Sequence, residues 1–123
     1  VVADSDSGFH IGYRSVFDKK DSIRFHYVAQ QQSLLKSVAG QEDLHNLLRF
    51  SNGYYSVEQR NDTLLYNDIR FGEQIGWRSS GAPFVFYYYL EHPAANKLVV
   101  QRGRFAGWDR NAFRSLVNRI RGE

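Results

Sequence analysis

Apolar and polar residues alternate along the first part of the chain in a pattern that predicts a β-hairpin. The alternation covers residues 9–17 and 23–29, and the polar cluster at 18–21 separates the two runs. A period of two is what a strand with one buried face requires. We therefore expect two antiparallel strands joined by a turn at this cluster.

A second hairpin is predicted further along the chain. Residues 54–59 and 63–71 flank Arg60-Asn61-Asp62, where Asn and Asp tolerate the positive φ of a tight turn. Residues 84–90 are rich in aromatic side chains and predict a fifth strand, and 97–101 predict a short sixth.

Apolar residues at a spacing near 3.6 predict helices between and after the hairpins. Residues 41–50 place leucines on one face, and a weaker helical turn is expected around 33–38. The last helix should begin after Asp109, whose carboxylate can accept free amide protons of the first turn. Its predicted core stripe consists of Phe113, Leu116, Val117 and Ile120.

Together these elements predict an α+β fold, with an antiparallel sheet of about five to six strands and two or three helices packed on one face. Residues 1–8 are expected to be a disordered or linker start, and residues 9–123 a single domain. A composition of 42% hydrophobic and 15% aromatic residues argues against disorder. The chain has no cysteine, which excludes disulfides and thiolate zinc sites.

No apolar run approaches the roughly 18 to 20 residues of a membrane-spanning helix. The chain begins at Val1 and contains no methionine. This start is typical of a piece excised from a larger protein, so we expect any membrane segment to lie in the missing part.

Four short motifs follow one another along the chain: GYRSVFD at 12–18, FSNGYYSV at 50–57, DIRFG at 68–72 and PFVF at 83–86. In this order and spacing they resemble the C-terminal, extramembrane region of the YdjM-like family of bacterial inner-membrane proteins. That family is described as membrane-bound metal-dependent hydrolases, and the hydrolase activity is itself a prediction for the family.

The resemblance implies where the chemistry of such a protein lies. The family's presumed metal ligands belong to its membrane-spanning half, so a divalent metal is expected there and none in this chain. The resemblance therefore implies a docking or regulatory domain without catalysis of its own, attached to the transmembrane half and lying on the cytoplasmic side of the inner membrane. Only the DIRFG element, residues 68–72, carries over to positions of this sequence.

This element contains a candidate contact patch. Asp68 and Arg70 lie two apart on a predicted strand and so share a face, and Tyr66 extends the same row. The patch could face the membrane half or a ligand. The simpler alternative is an Asp–Arg ion pair that fixes the strand, worth about 0.2–1 kcal/mol if exposed.

The basic residues of the chain are concentrated near its end. Residues 97–123 hold seven basic and two acidic residues, whereas the whole chain has a formal charge of +3. A basic surface could be solvated, could approach an anionic membrane, or, less favoured, could contact nucleic acid. Its candidate members are Arg102, Arg104, Arg110, Arg114 and Arg121.

The histidines offer little support for an enzyme. His10 and His26 could face each other across the first hairpin, and Glu42 and His45 share a helix face, but a catalytic zinc site usually needs three protein ligands. The sequence has no GxSxG or phosphate-binding loop, so nucleophilic catalysis is unsupported. A stand-alone binding module for an acidic partner remains the alternative to a docking domain.

Overall fold

The computed structural model describes residues 1–91 and 108–122, which form an α+β fold. The first sheet contains β1 (Val2–Ser5), β2 (Gly8–Gly12) and β3 (Phe25–Ala29), and the second contains β4 (Tyr55–Arg60), β5 (Thr63–Glu73) and β6 (Phe84–Tyr89). A 3₁₀ helix (Gln32–Val38) and helix α1 (Glu42–Ser51) connect the sheets, and helix α2 spans Arg110–Ile120. The predicted α+β class is confirmed. The prediction of one sheet of five to six strands is corrected to two antiparallel sheets of three strands each.

The first sheet includes a strand at the start of the chain, which differs from the expected disordered or linker start. β1 pairs antiparallel with β2, with Val2 opposite Ile11. The ammonium group of Val1 donates to the carbonyl of Gly12 at 2.8 Å. These main-chain bonds order residues whose polar side chains gave no strand pattern.

The predicted first hairpin is confirmed in its pairing but not in its length. β2 pairs antiparallel with β3, with Phe9 opposite Val28. The first of the two strands ends at Gly12 and not at residue 17, because the following residues make a local turn in which the amide of Ser15 donates to Asp18 at 3.0 Å.

The second sheet carries the larger hydrophobic core. β4 and β5 form the predicted hairpin, with Arg60 opposite Thr63 and Asn61 at a φ of 52°. The face of the sheet that points to the 3₁₀ helix and α1 forms one cluster with them. Its buried members are Leu35, Val38, Leu44, Leu47, Tyr55, Val57, Leu64, Tyr66 and Leu90.

An irregularity divides β5 into two parts. Asp68 pairs with Phe86, but the next pair joins Glu73 to Phe84, so β5 advances five residues while β6 advances two. Residues 69–72 therefore lie opposite the single residue Val85 of β6 and form a β-bulge that ends at Gly72 with a φ of 69°. Bulges bend a strand and re-aim its side chains. At the start of the bulge, Ile69 of β5 joins a second buried cluster with Phe9, Ile11 and Phe84.

Helix α2 is held by polar contacts more than by an apolar stripe. Asp109 caps it as predicted, accepting the amide proton of Ala112 at 2.6 Å. The predicted core stripe is wrong for Phe113 and Ile120, which are 60% and 51% exposed. The Arg119 guanidinium instead reaches Asp18 in the 13–24 connection. The predicted strand at 97–101 lies outside the described residues.

None of the helices in the ranges 1–91 and 108–122 combines the length and the apolar character needed to cross a bilayer.

Candidate functional sites on either side of the bulge

The bulge in β5 is built around an ion pair between the buried Asp68 and the exposed Arg70. The side chain of Asp68 has no exposed surface, and Arg70 donates to it from Nε at 3.0 Å and from a terminal nitrogen at 2.6 Å. The Arg70 amide donates to the same carboxylate at 3.1 Å. These hydrogen bonds hold the pKa of the guanidinium above its usual value. The two-pronged geometry fixes both side chains and, with them, the path of the bulge.

Three phenylalanines cluster beside Arg70, two of them in contact with its guanidinium, and we call them the phenylalanine patch: Phe50 of α1, Phe71 of the bulge and Phe86 of β6. Their ring centroids are 5.8 to 6.2 Å apart. The Phe50 and Phe71 side chains are half-exposed. The guanidinium carbon of Arg70 lies 4.9 Å from the Phe50 ring centre and 5.6 Å from that of Phe71. The result is an exposed aromatic surface with a fixed positive charge in it.

The predicted patch of Asp68, Arg70 and Tyr66 is thus divided between surface and interior. Tyr66 is fully buried, its hydroxyl lies 2.6 Å from Ser51 Oγ, and burial raises its pKa to about 12. It belongs to the core, because the strand is still regular at this position. Arg70 reaches the surface because the bulge begins after Asp68, which stays buried beneath it.

A second candidate site lies at the far end of β5, where the two sheets meet around Glu73. Its side chain is 1% exposed. One carboxylate oxygen accepts from the Tyr13 hydroxyl at 3.1 Å. The other lies 3.0 Å from His26 Nε2 and accepts the Gly81 amide proton, also at 3.0 Å. This buried carboxylate therefore joins the first sheet to the second.

Tyr13 completes this junction by bonding both to the main chain and to the side chain of Glu73. Its hydroxyl accepts the Glu73 amide proton at 2.9 Å while donating to the carboxylate. Burial raises the pKa of the phenol to about 12. Gly76 leaves room for the ring, since a Cβ atom there would lie 2.1 Å from the Tyr13 oxygen.

A cleft of about 390 Å³ opens beside Glu73, between β3 and the face of the second sheet that points away from the leucine core. We call it the junction cleft. Side chains on alternate positions of β4, β5 and β6 form its floor, as the period of a strand requires. Its polar and aromatic lining includes His26, Ser56, Glu58, Asn67, Tyr87 and Tyr89.

Sequence analysis missed the site around Glu73. The residue follows Gly72 directly at the end of an apolar strand, which is a weak signal for a buried acid. Its partners Tyr13 and His26 are 60 and 47 residues away. Neither periodicity nor local spacing connects groups at such distances.

The predicted pairing of histidines is wrong. His10 lies opposite Tyr27, and His26 lies opposite Ile11, so the two histidines occupy opposite faces of the first sheet. Glu42 and His45 are both exposed on α1. In the part of the chain that the structure describes, no three histidine or acidic side chains group together as a metal site would require.

The predicted basic surface is described in part. Arg110, Arg114 and Arg121 are exposed on or beside α2, while Arg102 and Arg104 lie outside the described residues. Arg119 is engaged with Asp18, and its hydrogen bond lowers the Asp18 pKa to about 2.

Comparison with known protein families, with curated proteins and with solved structures gives no match to this chain.

Proposed function

We propose that this chain is the docking domain of a larger membrane protein, and that the phenylalanine patch rests on the anionic surface of the bilayer that carries the rest of that protein. The observation that supports the proposal is an aromatic surface, half-exposed at Phe50 and Phe71, that surrounds the charged group of Arg70.

The aromatic rings of the patch and a neighbouring arginine favour a lipid interface over water. Full burial of a phenylalanine side chain contributes about 1.5–3 kcal/mol, and two half-exposed rings can each recover part of this. The exposed Arg49 of α1 adds about 1 kcal/mol beside anionic lipid. Asp68 does not repel such a surface, because Arg70 neutralises it.

The parent protein follows from the resemblance to the YdjM-like family. On that basis the parent is a bacterial inner-membrane, metal-dependent hydrolase, with its divalent metal and its catalytic residues in the transmembrane half. This domain would lie on the cytoplasmic side and position or regulate that half. The bulge brings Arg70 to the surface together with Phe71, and this arrangement supports a role in binding another surface.

The test is sedimentation of the chain with vesicles of phosphatidylcholine, with and without phosphatidylglycerol. We expect binding that requires the anionic lipid and is lost in Phe71→Ser. The matched control is Phe17→Ser, which removes a phenylalanine that is 63% exposed outside the patch and should leave binding unchanged. Arg49→Gln should weaken binding without abolishing it.

Two results would contradict this proposal. Equal binding of wild type and Phe71→Ser to the anionic vesicles would exclude the patch as the contact surface. The second result is a chain that does not bind vesicles but still associates with the transmembrane half of its parent protein. The docking contact would then lie on that half and not on lipid.

The exposed arginines of α2 support a second candidate, a binding module for an acidic partner such as nucleic acid or an anionic membrane. Binding to nucleic acid should weaken steeply with salt and should be lost in the double variant Arg110→Gln, Arg114→Gln. If this variant loses vesicle binding while Phe71→Ser retains it, the basic surface and not the phenylalanine patch contacts the membrane.

A further inference from the structure

We infer that the junction cleft is a binding site for a neutral, polyhydroxylated ligand of the size of a small sugar. This site is separate from the phenylalanine patch and does not depend on the docking role.

The size and composition of the cleft are those of a small-molecule site. Its volume of about 390 Å³ falls within the roughly 300–1,000 Å³ typical of ligand pockets. Apolar parts of β3 and Pro83 form its walls, and a small set of polar groups lies on its floor. Such a combination orients a ligand through a few hydrogen bonds while apolar surface excludes water.

The acidic and basic groups that line the cleft already contact one another, which argues for a neutral ligand. His26 contacts Glu73 at 3.0 Å, and Arg60 lies 3.8 Å from Glu58. An anion would compete with Glu58 for Arg60. A cation would compete with Arg60 for Glu58, or with the donors that already surround Glu73.

The floor nevertheless offers hydrogen-bonding groups in fixed positions. The Asn67 side-chain nitrogen donates to Glu58 at 2.7 Å and to Ser56 Oγ at 3.3 Å, so its amide is oriented while its oxygen can still accept. With Nε2 of His26 engaged by Glu73, the other ring nitrogen can bond a ligand hydroxyl.

The aromatic side chains supply the apolar half of the contact. Tyr87 and Tyr89 lie edge to face, with ring centroids 5.9 Å apart and planes at 85°, so they form a corner at one side of the cleft. The electron-rich face of an aromatic ring favours contact with weakly positive C–H groups. A sugar ring presents such C–H groups on its faces and hydroxyls at its edge, which matches the corner and the polar floor.

The first test applies the fluorescently labelled chain to an array of neutral mono-, di- and trisaccharides. We expect binding to at least one group of structurally related sugars. The strongest sugar is then titrated into the chain, and amide NMR shifts should concentrate at Asn67 and Tyr87 and not at Phe71.

Variants identify the site. Glu58→Gln and Tyr87→Ala should each weaken binding of that sugar roughly tenfold or more, equivalent to about 1.4 kcal/mol. The matched controls are Glu42→Gln, an exposed acid on α1, and Tyr54→Ala, a tyrosine outside the cleft that is 39% exposed. Thermal unfolding of each variant shows whether its fold is retained.

Three outcomes would overturn the inference. One is the absence of binding to every sugar on the array. The second is sugar binding that both cleft variants retain at full strength. The third is chemical-shift changes at the cleft with putrescine or inorganic phosphate but with no neutral sugar, which would assign the cleft to a charged ligand.

Discussion

The two parts of β5 show how differently one strand can be held. Before the bulge, the strand packs through Leu64 and Tyr66 against a core of nine buried side chains. From the bulge onward, the strand meets the other sheet through Ile69, in a second cluster of four buried side chains, and through Glu73. The first part is fixed by apolar area, the second by a few directed hydrogen bonds around one buried carboxylate.

This difference indicates where function can be placed on the fold. A large apolar core tolerates no polar group without a partner, so it leaves little room for recognition. The bulge and the sheet junction instead gather charged and aromatic groups that are oriented but still accessible. Of the two proposed contact surfaces, the phenylalanine patch lies at the bulge, and the junction cleft extends from Glu73 along the face of the second sheet that points away from the larger core.

The largest effect is expected from truncation in the first part of β5. Leu64 is 2% exposed within the larger cluster, so Leu64→Ala removes apolar contacts and leaves a cavity. We expect the free energy of unfolding to fall by about 2–5 kcal/mol, measured by urea denaturation. Val16→Ala, at a residue that is 93% exposed, is the control and should change it by less than about 0.5 kcal/mol. If the free energy of unfolding of Leu64→Ala falls by less than about 0.5 kcal/mol, this core does not stabilise the fold as described.

A smaller effect is expected at the polar junction. Tyr13→Phe leaves the amide of Glu73 without its acceptor and removes a donor from the carboxylate. An unsatisfied buried polar group costs about 1–3 kcal/mol, and urea denaturation at neutral pH should show a loss in this range. An unchanged midpoint would indicate that water replaces the hydroxyl at no cost.

The pH dependence of the same variant sharpens the comparison between the two parts. Burial raises the pKa of Tyr13 from 10 to about 12, so the unfolded chain ionises first. Wild type should therefore lose stability as the pH rises from about 10 to about 12. Tyr66 has a similarly raised pKa, so Tyr13→Phe should reduce this loss without removing it. Equal alkaline slopes for variant and wild type would contradict the assignment to Tyr13.

The regular elements of the fold could be predicted from local pattern. Alternation identified the pairing of β2 with β3, the turn residues Asn61 and Asp62 identified the hairpin of β4 and β5, and Asp109 marked the start of α2. In these cases neighbouring residues in the sequence carry the information, because the period of a strand or the cap of a helix is a local property.

The division into two sheets and the site at Glu73 could not be predicted in this way. The bulge at residues 69–72 interrupts the strand pairing but not the run of buried residues, since Asp68 before it and Ile69 within it are both buried. The sequence therefore gives no sign of where the pairing breaks. The partners of Glu73 come from distant positions that only the tertiary fold brings together. The stripe at Phe113 and Ile120 failed for a related reason: a helical spacing of apolar residues does not specify which face the rest of the chain covers.

The smallest effect concerns α2, whose contact with the 13–24 connection resembles the junction more than the core. Arg119 binds Asp18 and donates to the Tyr13 carbonyl at 2.9 Å, and its hydrogen bond lowers the Asp18 pKa from 3.8 to about 2. Because the folded-state pKa is the lower one, this contribution to stability is fully present above about pH 4. It is lost as the pH falls through about 2.

The two tryptophans of the chain report on this contact. Trp108 precedes α2 and packs against Trp77 with ring centroids 5.7 Å apart, so undocking of the helix should change the fluorescence. We expect a change between about pH 4 and pH 2 that precedes the global loss of secondary structure. In Asp18→Asn the fluorescence at neutral pH should already be shifted towards the acid form, and the acid transition should be weaker. An acid transition identical to wild type in that variant would show that other carboxylates hold the helix, and that α2 docks independently of the Asp18–Arg119 pair.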